Sequence, residues 1–291
     1  MIAEPTITEQ VLMIVKTYPT PSRKYGELVC TAGIRLRDRQ WVRIYPFPFR
    51  TLAQDYQFRK WEVLEMPLRK AKGDPRPESY NLMDSDKIKH LHTIGTEDKY
   101  WTPRMPFIRE TAVPSVRALE AGLLSEDEAT WGPSIRPVRV EPGSAIVTCE
   151  HVGAEWKADQ LAKLQSAKDR LTQGLFVDGT AAEMFQILRK VPYRFYVQFR
   201  DMTGETHRKL VLDWEIAMLY FNSRRSVRTD DEALEKVRKK IEDQMFHPKR
   251  EVYLILGNMH HQYKQRQLAI DGFVWPELKP EPAISLQPSL F

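Results

Sequence analysis

Short apolar runs and alternating patterns dominate the first 150 residues. The apolar run 11–15 ends at Tyr18-Pro19-Thr20-Pro21, where two prolines stop a regular element, so the run predicts a strand. Similar patterns predict strands at 27–36, 40–45, 61–68, 136–140 and 145–150. A loop-rich stretch extends from Pro75 to Pro106, and a helix is expected over 109–124, where Pro114 disturbs the first turns.

Helical spacing appears after residue 150. The apolar residues Trp156, Leu161, Leu164, Ala167 and Leu171 recur at that spacing and predict a helix, and a second helix is expected over 181–190. The alternating segment 193–200, the turn 201–205 and the segment 206–220 predict a hairpin. Thr229 with Glu232 is typical of a helix start, and strands are expected at 252–256 and 268–275.

Length and charge fit a protein with two ordinary domains. The chain has 291 residues, 42% of them hydrophobic, and its 44 Lys and Arg against 39 Asp and Glu leave a net charge of +5. This mildly basic balance permits a nucleic-acid partner without requiring one. Cys30 and Cys149 are too few for a disulfide framework or a cysteine zinc site. With no leader-like start and no long apolar run, we expect a soluble cytoplasmic protein without membrane contacts.

The final five residues, 287–291, resemble the peptide by which bacterial replication and repair proteins bind the sliding clamp. Gln287 opens the motif, Ser289 stands third, and Leu290 and Phe291 close it. Two prolines in 277–286 disfavour a helix, so this segment is expected to be an extended tether of about 30 Å. The resemblance implies that Leu290 and Phe291 fill an apolar pocket on the clamp. The alternative is a tail folded back onto its own domain.

Several segments resemble a bacterial family whose members contain two oligonucleotide-binding (OB) folds. They are 25–33, 41–50, 57–61, 212–215, 256–257 and 270–276. The resemblance implies a fold rather than a function: α+β, with two OB-like small β-barrels, packed helices and a flexible tail. The expected domains are 1–150, a first OB-like barrel with a loop and helix insertion, 151–276, a second OB-like domain with helices, and 277–291, the tail.

The strand at 40–45 carries the candidate nucleic-acid face. Alternation places Val42 and Ile44 on one face and Trp41, Arg43 and Tyr45 on the other. Two aromatic rings beside an arginine suit single-stranded nucleic acid, because bases stack on aromatics and arginine contacts phosphate. The predicted binding residues are Trp41, Arg43, Tyr45, Arg50, Arg59 and Lys60. The alternative is a covered barrel face in which Trp41 and Tyr45 are ordinary packing residues.

Acidic residues and histidines offer a second chemistry. On the predicted return strand Asp213 and Glu215 share one face, about 7 Å apart, which suits a shared divalent metal ion. The competing interpretation is an ion pair with Lys209 or Arg194 across the hairpin. His90 and His92 could share a metal ion but lack an evident third ligand. His260 and His261 are adjacent, so on a strand they point to opposite faces and do not easily reach one metal ion.

Three functions follow from these features. We favour a non-enzymatic accessory protein of DNA metabolism or genome defence that is recruited to the sliding clamp. Its expected ligand is single-stranded DNA rather than RNA, and no cofactor is expected. The first alternative is a metal-dependent nuclease that uses Asp213 and Glu215. The second is a sensor of a small molecule or modified base, with Trp41 and Tyr45 lining a pocket.

Overall fold

The structure is a computed structural model that describes residues 5–22, 26–47, 49, 57–123, 132–173, 188–258 and 267–280. The chain is α+β. The predicted helix at 181–190 lies mostly outside the described residues, as do the last five residues.

Seven strands form the sheet of the amino-terminal half. They are β1 (Ile7–Lys16), β2 (Thr20–Ser22), β3 (Gly26–Arg35), β4 (Trp41–Phe47), β5 (Glu62–Lys70), β6 (Ser79–Leu82) and β7 (Lys89–Thr93). Five follow the order β1-β3-β4-β6-β5, and antiparallel pairing of β1 with β5 closes the ring. β4 and β6 pair in parallel. This closed five-stranded barrel confirms the OB-like fold predicted for the first half.

Alternation along the strands sorts the barrel's side chains into two sets. Val42 and Ile44 lie inside with residues such as Val11, Met13, Phe47, Leu64 and Met66, which are all buried. Trp41, Ala32 and Ile34 point outward, yet they are buried as well. The outward set packs against residues from the second half of the chain, including Tyr253 and Ile255. The barrel therefore has a covered outer face.

The helix predicted over 109–124 is two short helices, α1 (Met105–Arg109) and α2 (Val116–Gly122). A single helix was the wrong prediction because Pro114 cannot donate a backbone hydrogen bond and disfavours a helical residue before it. Ser115 then starts α2, and its side chain accepts a hydrogen bond from the Ala118 N–H at 3.1 Å.

Six strands of the second half form two three-stranded sheets among the described residues. The strands are β8 (Ile135–Val140), β9 (Ile146–His151), β10 (Tyr193–Arg200), β11 (Thr206–Leu210), β12 (Val252–Asn258) and β13 (Leu268–Val274). The sheet orders are β11-β10-β9 and β13-β12-β8. A parallel bridge joins Val211 to Ile270, and an antiparallel bridge joins Val140 to Asp201. The division of the chain at residue 150 stays a prediction. β8, which precedes it, and β9, which crosses it, pair with strands that follow it.

Three helices complete the described part of the second half. They are α3 (Ala158–Gln173), α4 (Trp214–Arg225) and α5 (Asp230–Lys239), and a π-helical turn, Lys240–Met245, continues α5. Thr229 caps α5 as predicted, accepting a hydrogen bond from the Glu232 N–H at 3.2 Å. The return strand predicted over 206–220 is wrong beyond Leu210, because Asp213 accepts hydrogen bonds from the Glu215 and Ile216 N–H groups and thereby starts α4.

Candidate nucleic-acid interface

The predicted binding face of β4 lies inside the molecule. Trp41 is 2% exposed and Arg43 is 1% exposed, and both belong to the contact between the barrel and the second half. Arg43 donates from Nε to Ser134 Oγ at 3.1 Å and from Nη2 to the Ser134 carbonyl at 2.7 Å. In this arrangement both side chains are shielded from solvent. The burial of Trp41 fits the packing interpretation of that residue.

A second arginine fixes the barrel to β12 in the same region. Arg76, in the loop between β5 and β6, donates from Nη1 to the side chain and the carbonyl of Asn258, both at 3.1 Å. Asp74 pairs with the same guanidinium group at 2.6 Å. A side chain at Gly257 would not fit, because its Cβ would lie 2.3 Å from Asp271 Oδ2 and 2.6 Å from Arg43 Nη2. The join between the two halves is therefore polar as well as apolar.

The other predicted binding residues are scattered. Tyr45 is half-buried, and its carbonyl accepts from the Asn81 side chain at 2.6 Å. Arg59 is exposed, and its N–H donates to Glu62 Oε2 at 2.8 Å. Arg50 lies outside the described residues. The structure therefore does not bring the predicted set together on one open face.

Lys60 lies between the two predicted metal ligands. Its Nζ is 2.5 Å from Asp213 Oδ2 and 3.3 Å from Glu215 Oε2, so it replaces the predicted partners Lys209 and Arg194. Lys209 instead pairs with Glu120 at 2.7 Å, and Arg194 pairs with Glu150 at 3.5 Å. Burial raises the pKa of Asp213 against the opposing charge of Lys60. Metal binding at Asp213 and Glu215 stays a prediction.

The sequence analysis did not single out Lys16, a second lysine that lies near Lys60. The Lys16 ammonium lies 4.1 Å from the Phe49 ring centroid and 5.2 Å from the Trp214 ring centroid. Burial, with the positive charge of Lys60, lowers the pKa of Lys16 to about 8. No sequence signal indicated this cluster, because Trp214 meets Lys16 and Phe49 only through the contact between the two halves.

The outer face of the β11-β10-β9 sheet is open. Phe195, Val197 and Phe199 are buried beneath β10, while the residues between them point away from the core. On this outer face lie Arg194, Tyr196, Gln198 and Arg200 of β10, Thr206, Arg208 and Leu210 of β11, and Ile146, Thr148 and Glu150 of β9. Ile146 is 54% exposed. No other part of the described chain is seen to cover this face.

Arg208 and Tyr196 form the centre of this face. The Arg208 guanidinium carbon lies 3.8 Å from the Tyr196 ring centroid, and Nη2 donates to Thr148 Oγ1 at 3.2 Å. The side chain of Arg208 therefore reaches from β11 across β10 to β9. Arg208 has no carboxylate partner among the described residues, whereas Arg200 pairs with Glu141 at 2.6 Å. The alternation in 193–200 was the signal that could have found Tyr196.

Comparison with known families identifies the chain. Residues 7–110 match one domain of unknown function (DUF8758), and residues 112–290, more than half of the chain, match another (DUF8757). The chain belongs to the DUF8757 family. The chain has no match among curated proteins.

One solved structure among those similar to this chain is a replication protein A heterotrimer bound to single-stranded DNA. The two chains are 9% identical, with a TM-score of 0.26, over 95% of this chain and 66% of the other. At that TM-score the likeness carries no argument about this chain. None of the helices that the structure describes has the length and apolarity needed to cross a bilayer.

The remaining sequence candidates divide between described and undescribed residues. Gln287, Ser289, Leu290 and Phe291 lie outside the described residues, as do His260 and His261. His90 is described, and its Nδ1 lies 2.7 Å from Glu62 Oε1. Within the described ranges, no group of three or more His, Cys, Asp or Glu side chains could hold a metal ion.

Proposed function

We propose that this chain is an accessory protein that binds single-stranded nucleic acid, DNA in preference to RNA, on the outer face of β9, β10 and β11. The observation that carries the proposal is the pair formed by half-buried Tyr196 and exposed Arg208 at the centre of that face. Proteins that hold single strands combine aromatic rings, on which bases stack, with cations that follow the backbone. The flanking arginines Arg194 and Arg200 extend the same chemistry.

The strand order of the second half supports this choice of face. If β8 and β9 are two parts of one bent strand, the pairings of the second half repeat the order of the first barrel, including a parallel link between the third and fifth strands. We infer a second OB-like barrel, in which β10 and β11 are the second and third strands. OB folds bind oligonucleotides on the face of those strands. In the first barrel the equivalent face, β3 and β4, is covered.

The carboxy-terminal tail suggests the sliding clamp as a protein partner. Gln287, Ser289, Leu290 and Phe291 match the clamp-binding pattern, and the proline-containing segment before them suits a tether. Recruitment to the sliding clamp would place the sheet face near single-stranded DNA during replication, repair or defence of the genome. The tail and the sheet face are separate parts of the proposal, and each has its own test.

Substitution of the central pair tests the nucleic-acid interface. Tyr196→Ala and Arg208→Ala should each weaken binding of a single-stranded oligonucleotide about 5- to 150-fold, because a lost base stack costs about 1 to 3 kcal/mol. Fluorescence anisotropy with a labelled oligonucleotide measures the affinity. Tyr196→Phe keeps the ring and should bind normally.

Lys87→Ala is the matched control, since it removes one exposed positive charge from the barrel half, where Lys87 pairs with Asp84. Equal affinity in wild type, Tyr196→Ala and Arg208→Ala, with unchanged thermal stability, would refute this interface.

A further inference from the structure

Aromatic rings and cations also gather where the barrel meets the second half. We call this region the tryptophan–cation surface, and its rings are those of buried Trp61 and half-buried Tyr100, Trp101 and Trp275. Trp101 lies 6.1 Å from Trp61 and 5.8 Å from Trp275, centroid to centroid, so three indoles follow one another. The cations near these rings are Lys99, Arg104, Lys240, Arg250 and Lys279. Five cations therefore face four rings.

Most of these cations lack an acidic partner. Lys99 pairs with Glu277 at 2.8 Å. The other four form no ion pair with any carboxylate that the structure describes. Lys240 Nζ lies 4.6 Å and Arg250 Cζ lies 5.1 Å from the Trp275 ring centroid, so two positive charges share one indole. Burial and the charge of Arg250 lower the pKa of Lys240. Arg250 still lies within electrostatic range of Glu277, and Lys279 lies within range of Asp98. The five cations outnumber the carboxylates near them, so the surface carries an excess of positive charge.

Backbone geometry around this surface is unusual. Trp61 and Trp101 have φ angles of 70° and 51°, in the left-handed region that bulky residues rarely adopt. Such conformations cost on the order of 1–3 kcal/mol and persist where the surrounding structure holds them, often at ligand sites. Lys240 opens the π-helical turn, a feature that is also frequent at functional sites.

From these features we propose that the tryptophan–cation surface binds the phosphates of a nucleic-acid strand and is a second contact beyond the sheet face. The inference rests on the proposed function, because it requires a nucleic-acid ligand. Phosphate is the group that fits, because Lys240 and Arg250 hold two positive charges close together beside the Trp275 ring.

The chain connects the two contacts. Arg200, at the end of β10, pairs with Glu141 in the turn between β8 and β9. In the same turn the Gly143 N–H donates to the Phe246 carbonyl at 2.5 Å. Phe246 begins the segment that leads to Lys249 and Arg250. These contacts connect Arg200 at the edge of the sheet face to the segment that carries Arg250.

Oligonucleotide length separates the two contacts. The double variant Lys240→Gln/Arg250→Gln should bind an oligonucleotide of about 20 nucleotides on the order of ten-fold more weakly, and its salt dependence should fall by about 1.4 in slope, or 0.7 for each lost phosphate contact. An oligonucleotide of about 6 nucleotides, short enough for the sheet face alone, should bind equally well to variant and wild type. Lys240→Arg/Arg250→Lys keeps both charges and should restore affinity.

The control Lys87→Ala/Lys89→Ala removes the same charge from exposed positions, 73% and 70% exposed, and should leave both affinities unchanged. If the Lys240/Arg250 variant keeps wild-type affinity and salt slope while Tyr196→Ala/Arg208→Ala is weakened, the second contact is refuted and the sheet interface stands. Loss only in the Lys240/Arg250 variant supports the second contact and refutes the sheet interface. No loss in either variant refutes both.

Discussion

Asp271 is a buried carboxyl group whose surroundings include Arg43, Arg76, Asp213 and Lys60. Burial is the largest influence and raises the pKa of Asp271 from 3.8 to about 7. Between these two values the folded state holds a proton that the unfolded state has released. Asp271 therefore makes the free energy of unfolding depend on pH. This free energy is highest while the group is protonated in both states, below pH 3.8, and falls as pH rises towards about 7. Above about pH 7 the stabilisation is lost.

Asp271→Asn should remove this pH dependence. The amide imitates the protonated acid, so the variant and wild type should have similar unfolding free energies near pH 4. At pH 8 the variant should be more stable, by up to about 4 kcal/mol from a pKa difference of about three units. Urea denaturation at both pH values measures the difference. A variant less stable than wild type at pH 8 would show that ionised Asp271 stabilises the fold, through Arg43 for example.

For single residues, the sequence predicts which side chains share a face of a strand but not what covers that face. Alternation correctly placed Val42 and Ile44 inside the barrel. It also placed Trp41 and Arg43 together on the opposite side, where an open binding surface was expected. Trp41 is buried because Tyr253 and Ile255, some two hundred residues further along the chain, pack on that side. Arg43 is buried there with hydrogen bonds to Ser134. No local pattern carries such information.

Among the elements, α4 shows how one residue decides between a strand and a helix. The residues Val211, Asp213 and Glu215 alternate as a strand would, which produced the wrong prediction. Asp213 instead caps α4, and its other oxygen binds Lys60 from the barrel. The capping preference of aspartate was visible in the sequence, whereas its partner Lys60, 153 residues away, was not.

Asp213→Ala should destabilise the protein by about 3 to 5 kcal/mol, because it leaves the buried Lys60 ammonium without its closest partner and removes the cap of α4. Glu215→Gln is the control: Glu215 is 61% exposed, and its contribution should stay below about 1 kcal/mol. Urea unfolding curves provide both values. Equal stability of the Asp213 variant and wild type would contradict this structural role.

The same two positions test the nuclease alternative. Asp213→Asn with Glu215→Gln should abolish any magnesium- or manganese-dependent cleavage of DNA if these carboxylates hold a metal ion. Wild-type protein that binds DNA but leaves it intact in both metals would count against that alternative.

For the whole molecule, the tail prediction concerns recruitment rather than folding. Removal of residues 287–291 should leave the melting temperature unchanged and abolish co-purification with a bacterial sliding clamp, because a few anchors dominate such interfaces. A synthetic peptide of the last ten residues should compete for the clamp. Leu290→Ala/Phe291→Ala should reproduce the loss, while Pro288→Ala, outside the four motif positions, should retain binding. A melting temperature lowered by several degrees would mean that the tail packs on its own domain.

The fold class could be predicted from the sequence, whereas the pairing of the strands could be predicted only in part. Short strands with polar turns indicated α+β, and the resemblance to OB proteins led to the first barrel. The sequence could not reveal that β8 pairs with β12 or that β9 pairs with β10, because such pairings join segments that lie far apart in the chain. Nor could it reveal the tryptophan–cation surface, whose rings come from three separated segments.

The covered face of the barrel has a consequence during synthesis. β4 ends at residue 47, and β12, which supplies Tyr253 and Ile255 to that face, begins at residue 252. At about 5 to 20 residues per second, a ribosome needs roughly 10 to 40 seconds to make the intervening chain. The barrel is complete once β6 has been made, and for the rest of that interval it presents Trp41, Ala32 and Ile34 to solvent. An exposed apolar surface of this kind favours chaperone binding and aggregation.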